Sequence, residues 1–263
     1  MKLKKNLSQN LLINKNIIKT IVKSLEIKEK DIIIEIGSGL GALTEFLFNA
    51  KKVISIEIDN NFCKILNNKF MQKSNFELIN KDFLKLNFLD IIKNFNADNI
   101  KVISNLPYHI STSIITKCLV NLNKLNRIIF MMQSEFAERL LSKPSKKTYG
   151  SITLFANYYS KMYQITDVSA DCFNPKPKVD SKVIKFTYNN NFIDKCHEKI
   201  FFEIIKLSFS KRRKTILNCL NGFKNNDKKS IENILESINL DKNIRGEDLS
   251  IDNFKKFAGF FVN

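Results

Sequence analysis

Asp31-Ile32-Ile33-Ile34-Glu35-Ile36-Gly37-Ser38-Gly39-Leu40-Gly41 is an apolar, β-rich run that opens into spaced glycines. Isoleucines at 32, 33, 34 and 36 suit a buried strand, and glycines directly after a strand suit a backbone that turns sharply beside a ligand. A helix is predicted to follow, with Leu43, Phe46 and Leu47 on one face. The alternation then repeats. Val53-Ile54-Ser55-Ile56-Glu57-Ile58-Asp59 reads as a second strand ending in two acids, and Phe76-Glu77-Leu78-Ile79 as a third with Asp82 just past its end. Val102-Ile103-Ser104 reads as a fourth that delivers Asn105, and Asn126 to Gln133 as a fifth. Strand–helix alternation from about residue 30 to 140 predicts an α/β fold on a doubly wound parallel sheet. Apolar runs near Tyr163–Val168 and Val183–Tyr188 would add a closing hairpin.

Upstream, Leu7-Ser8-Gln9-Asn10-Leu11-Leu12 holds two amides flanked by leucines, the pattern of a segment that docks rather than of a frayed tail. Asn14 is placed to cap a helix whose Ile17, Ile18, Ile21, Val22 and Leu25 keep helical spacing.

Two ligands suit the glycine loop. Gly37, Gly39 and Ala42 satisfy the dinucleotide GxGxxA form, and Glu57, about 20 residues downstream, suits ribose hydroxyls. S-adenosylmethionine uses such a loop without a pyrophosphate and needs a further polar group for its adenine. Asp82 is placed to accept from the adenine amine, its alternative being a helix N-cap. Acidic or glycine features at three successive strand ends favour the methyl donor over NAD.

Asn105-Leu106-Pro107-Tyr108 falls just past the carboxyl end of a strand, where α/β proteins place their chemistry. The exocyclic amine of a nucleobase is a poor nucleophile because its lone pair is delocalised into the ring. The Asn105 side-chain oxygen and the Pro107 carbonyl would accept its N–H bonds and draw the nitrogen toward tetrahedral geometry. Tyr108 would offer a face on which the extruded base stacks. The plainer alternative is a strand followed by a proline turn. Phe173, opening the proline-spaced loop Phe173-Asn174-Pro175-Lys176-Pro177-Lys178-Val179-Asp180-Ser181, would stack on the opposite face of the base, although phenylalanine is more often core.

Asn189-Asn190-Asn191 reads as a linker, and from Phe192 the pattern is helical only, so the predicted domains are 1–188, including an N-terminal arm 1–14, and 192–263. Within the second, Lys211-Arg212-Arg213-Lys214 is the densest basic run. Only five of the 43 basic residues are arginine, so two adjacent arginines point to phosphate contact rather than to an ordinary solvated face. The formal net charge of +17 favours a polyanionic partner, although richness in Lys, Asn and Ile dilutes that signal. Five cysteines without a CxxC pair and two histidines argue against a disulfide framework and a zinc site, and fit a reducing compartment. No apolar stretch is long enough to span a membrane, and Asn14, Lys15, Asn16 and Lys19 interrupt any signal-peptide core.

Together these motifs resemble the rRNA adenine N6,N6-dimethyltransferase family of the KsgA type, along nearly the whole chain. Gln9-Asn10-Leu11-Leu12 is similar to that family's GQNFL segment, with Ser8 and Leu11 as departures. Glu35 to Gly41 is similar to its donor loop, and Asn105 to Thr112 to its NLPYNIST block, with His109 in place of Asn. Tyr149-Gly150-Ser151, Phe173 to Ser181, Phe209 to Leu220 and Arg245-Gly246-Glu247-Asp248-Leu249 resemble further family segments.

The resemblance implies a Rossmann-like class I S-adenosylmethionine-dependent methyltransferase domain with a small all-helical C-terminal domain. It implies an enzyme that dimethylates two adjacent adenosines near the 3′ end of small-subunit rRNA. Beside it stand the expectations of a cytoplasmic monomer that acts within an assembling subunit, away from any membrane. By position, Asn10, Leu12, Gly37, Gly39, Glu57, Asp82 and Asn105 would contact the donor. Asn105, Leu106, Pro107, Tyr108 and Phe173 would form the target-base pocket, and Lys211, Arg212, Arg213 and Lys214 would meet rRNA. No metal is called for, because the sulfonium already carries the activation and the transfer is governed by positioning. Three rivals stand beside this reading. The Erm type methylates large-subunit rRNA and lacks the basic run seen at Arg212–Thr215. A non-catalytic relative acts as a mitochondrial transcription factor. An NAD-dependent oxidoreductase would need a hydride-transfer acid/base pair that the sequence does not supply.

Overall fold

The computed structural model describes residues 10–191, 193, 195–211 and 213–261. Its elements are, in chain order, β1 (Leu11–Leu12), α1 (Lys15–Ser24), β2 (Ile32–Ile36), β3 (Lys52–Glu57), α2 (Asn60–Phe70), β4 (Phe76–Asn80), α3 (Phe88–Ile92), β5 (Ile100–Asn105), α4 (Ser111–Leu119), β6 (Arg127–Gln133), α5 (Ser134–Leu140), α6 (Ser151–Tyr159), β7 (Ser160–Val168), β8 (Phe173–Asn174), β9 (Ser181–Tyr188), α7 (Lys195–Ser210), α8 (Ile216–Leu220), α9 (Lys228–Ser237) and α10 (Ile251–Gly259).

The apolar runs pair into one seven-stranded sheet of order β4-β3-β2-β5-β6-β9-β7. Every residue of β2 is buried, as are nearly all of β3 and β5, which is why these strands read as continuous apolar runs rather than alternating ones. The first five strands of this sheet run parallel, and β9 is antiparallel to both β6 and β7. The closing hairpin is therefore present and makes the sheet mixed. The chain builds outward from β2 to β3 and β4 on one side, then returns to add β5 and β6 on the other. The crevice beyond the carboxyl ends of β2 and β5 is thus the topological switch point of the sheet.

Asn14 caps α1 as expected, its side chain accepting from Asn16 N and Ile17 N. Ile18, Ile21 and Leu25 of that segment join Ile33, Val53, Ile103 and Ile129 in the core under the sheet. The stretch after the glycine loop departs from expectation. In place of an α-helix there is a single 3-10 turn, Thr44–Phe46. Gly41 has φ +80°, which a helix cannot accommodate, and a Cβ there would lie 2.6 Å from the Phe70 ring.

The chain divides into two compact units, one holding residues up to 137 together with 160–188, the other 138–159 together with 189 onward. The boundary drawn from sequence, 1–188 against 192–263, differs over 138–159. The reason is α6, whose Leu154 and Tyr158 pack with Phe201, Ile204, Phe254 and Phe257 in the core of the helical unit. Among the described residues no helix is long and apolar enough to cross a membrane.

Candidate active site

A cleft of about 790 Å³ opens in the first unit at the switch point, within the size range of small-molecule sites. It is lined by Asn10, Leu12, Gly37, Gly39, Glu57, Asp82, Asn105, Leu106, Pro107 and Tyr108. Ten of the residues singled out from sequence, scattered over nearly a hundred positions, therefore meet in one place.

The glycine loop leaves β2 with Gly37 and Gly39 at φ +71° and +56°. Glu57, the last residue of β3, is buried and holds this loop from the neighbouring strand. Its Oε2 accepts from Gly39 N at 2.8 Å, and its Oε1 accepts from Ile58 N and Asp59 N. Burial raises the Glu57 pKa, and the three backbone donors work against that shift. Asn80 at the end of β4 donates to the Glu57 carbonyl, so the acid is fixed at both main chain and side chain. Beneath the loop, Glu35 is fully enclosed, accepts from Thr44 Oγ1 and Ser55 Oγ, and has its pKa pushed up to about 7 by burial. With no α-helix starting at the loop, the helix N-terminus that binds a pyrophosphate in dinucleotide folds is not built here.

Asp82 follows β4 and does cap a short turn: its Oδ1 accepts from Leu84 N in the 3-10 turn Phe83–Lys85. The capping alternative thus accounts for one oxygen. Its other oxygen takes no hydrogen bond from any described residue.

Asn105 is the last residue of β5. Its Nδ2 donates to the Asn10 carbonyl at 3.1 Å, which leaves Oδ1 as the acceptor without a partner among the described residues. Leu106 continues the ladder by donating from its N–H to Met131 O. The Pro107 carbonyl, expected to receive an amine N–H, closes a turn by accepting from Ile110 N with one of its two lone pairs. The neighbouring carbonyl of Leu106, held rigid by the Leu106–Pro107 bond, takes no hydrogen bond from any described residue. Tyr108 is half-buried, with its hydroxyl 2.9 Å from Ser181 Oγ at the start of β9. Burial raises its pKa, so the phenol stays protonated at neutral pH.

Phe173 is not brought into the cleft. It is 3% exposed and packs in the core of the first unit, where β8 pairs with β1 in the register Leu12↔Phe173. The stacking role expected for its ring has no open face in this structure, because the ring is enclosed in that core. Lys211, Arg213 and Lys214 lie in the second unit, exposed in the turn between α7 and α8, while Arg212 and the arm residues Leu7, Ser8 and Gln9 lie outside the described residues. Sequence reading missed Ser181 as the anchor of Tyr108 and Lys117, whose ammonium binds carbonyls of the turn after Asp82. No local pattern links residues 73 or more than 30 positions apart.

Comparison with known proteins agrees with this geometry. A family model described as ribosomal RNA adenine dimethylase matches residues 1–256. The chain is 42% identical to a ribosomal RNA small subunit methyltransferase A from Clostridium botulinum, over 98% of this chain and 93% of that one. It is 38% identical to the protein of the same name from Bacillus cytotoxicus, over 98% of this chain and 91% of that one. Among solved structures, a dimethyladenosine transferase from Plasmodium falciparum superposes with a TM-score of 0.81 at 27% identity, covering 94% of this chain and 95% of that one. The 23S rRNA methyltransferase ErmE, at 21% identity and a TM-score of 0.73, shares the fold, with 95% and 98% covered. A match along almost the full chain, joined to identities this high in relatives of the same length, makes this protein a member of the ribosomal RNA adenine dimethylase family, and so an rRNA adenine dimethyltransferase.

Proposed function

We propose that the protein transfers methyl groups from S-adenosylmethionine to the N6 amines of two adjacent adenosines near the 3′ end of small-subunit rRNA, acting as a cytoplasmic monomer on an assembling small subunit. The observation that carries the reading is the locked Asn105 amide. Its nitrogen is committed to Asn10 O, so an unpaired oxygen stands at the end of β5 in the same cleft as Glu57 and the glycine loop. The names of the relatives support the choice of subunit.

The donor supplies a methyl group activated by its sulfonium. The chain's residues bind and orient. Glu57 accepts from ribose hydroxyls, the free Asp82 oxygen accepts from the adenine amine, and the loop at Gly37 and Gly39 admits close approach, with Asn10 and Leu12 also lining the cleft. On the acceptor side, Asn105 Oδ1 and the Leu106 carbonyl receive the N–H bonds of the target amine, and Tyr108 stacks on the base. Pro107 stiffens the segment. Lys211, Arg213 and Lys214, with Arg212, hold rRNA phosphates from the helical unit.

The test is methyl transfer from labelled donor into undermethylated small subunits and, in parallel, large subunits. Incorporation into adjacent small-subunit adenosines is expected. Incorporation into large subunits alone would replace this reading with the Erm-type one.

A further inference from the structure

Lys117 spends its whole ammonium on one short turn. Its Nζ donates to Phe83 O at 2.8 Å, to Leu84 O at 2.9 Å and to Leu86 O, and lies 5.1 Å from the centre of the Phe83 ring. Three N–H donors meet three carbonyls, so none remains for substrate or solvent. The turn they close is the one that Asp82 caps from its other end through Leu84 N. Its carbonyl end carries the negative pole of the turn and gains most from a partly buried cation. Lys117 itself belongs to α4, the helix that begins three residues after Tyr108. Burial lowers its pKa, and the nearby Asp82 carboxylate works against that.

We propose that Lys117 is a positioning residue for donor recognition: it fixes the Asp82 turn so that the free Asp82 oxygen meets the donor's adenine amine, and it ties that turn to the helix leading from the target-base pocket. The proposal rests on the reading of Asp82 as the adenine acceptor. Adenine presents an amine to that oxygen, whereas hypoxanthine presents a carbonyl, which a carboxylate held in place repels. Without the ammonium, Leu84 O and Leu86 O lose their donor and Phe83 O keeps only Leu86 N, so the turn must rearrange toward water. Asp82 is then no longer held against a mismatched base, while Glu57 still grips the ribose common to both ligands.

The experiment measures binding of S-adenosylhomocysteine and S-inosylhomocysteine to the full chain by calorimetry, in wild type, Lys117→Met, Lys117→Arg and Asp82→Ala, with thermal melting as a control on folding. Asp82→Ala is expected to abolish discrimination between the two ligands. In Lys117→Met the ratio of their Kd values should fall by about ten-fold, the scale of a hydrogen bond to a charged group, through weaker adenosyl binding. Lys117→Arg, whose planar fork cannot serve three converging carbonyls, should lose part of it. Discrimination equal to wild type in the folded Lys117 variants, or equal weakening toward both ligands, together with collapse in Asp82→Ala, overturns the role of Lys117 alone. Intact discrimination in Asp82→Ala overturns the reading of Asp82 and the proposal with it. Should Lys117→Met fail to fold, Lys117→Arg decides by the same criterion.

Discussion

Asn105 Nδ2 donates to the backbone carbonyl of Asn10 at 3.1 Å, a bond that joins the carboxyl end of β5 to a residue of the N-terminal arm 95 positions earlier. It settles which atom of the amide is available: the nitrogen is used, and the oxygen is the acceptor that remains.

Asn105→Ala should therefore slow single-turnover methyl transfer into undermethylated small subunits by about 10²–10³-fold, the cost of removing one preorganised polar group from a transition state. Affinity for the subunit should change little. Asn105→Asp restores an acceptor but sets a carboxylate oxygen against the Asn10 carbonyl, two acceptors at hydrogen-bond distance. It is expected to be no better than alanine. Wild-type transfer rates in either variant would remove Asn105 from the chemistry.

Tyr108 gives a graded pair. Tyr108→Phe keeps the stacking face and removes only the hydrogen bond with Ser181 Oγ, so target-base affinity should weaken by about 1 kcal/mol or less. Tyr108→Ala removes the face as well and should cost roughly 1–3 kcal/mol. A fluorescent adenine analogue placed at the target position reports the flipped base directly.

Glu57→Ala should weaken S-adenosylmethionine binding by roughly 1–3 kcal/mol, a charged hydrogen bond's worth, read by calorimetry. The upper end is expected, because Gly39, Ile58 and Asp59 N–H lose their acceptor together. Affinity for rRNA should stay level.

Glu35 predicts a pH dependence of stability. Its folded pKa of about 7 lies above its ordinary 4.5, so across that window the folded chain holds a proton that the unfolded chain has released. Stability contributed by this group falls as pH rises from the lower value, and the loss is complete above the higher one. Glu35→Gln removes that slope. Relative to wild type it should be more stable at pH 8 than at pH 5 by on the order of 1–3 kcal/mol, measured by urea unfolding at both. An identical difference at the two pH values would show that the buried carboxyl does not titrate in this range.

Neutralising Lys211, Arg213 and Lys214 together should weaken subunit binding and reduce the slope of log affinity against log salt by about two to three units, roughly one for each rRNA phosphate that no longer meets a cation. Donor affinity should not move. A slope equal to wild type would make the run a solvated turn.

Period and punctuation were enough to reveal the parallel strands, the glycine loop, the capped first helix and the polar residue at each strand end, because these follow from which side chains a local segment buries and which backbone angles it needs. The same is true of Asn105 to Tyr108, whose place just past a strand is a property of adjacent residues. What needed the fold were relations between segments far apart in the chain. The insertion of β9 beside β6, the transfer of 138–159 to the helical unit and the burial of Phe173 in the core of the first unit all depend on which apolar faces meet, and an apolar run does not name its partner. So it was with single atoms. Sequence offered the Pro107 carbonyl as an acceptor, and the turn to Ile110 occupies one of its two lone pairs while the Leu106 carbonyl keeps both; it offered Asp82 as a cap or a ligand, and one oxygen caps while the other stays free. Residue type limits what a group can bind, but only the tertiary structure decides which of its lone pairs and N–H bonds are already spent.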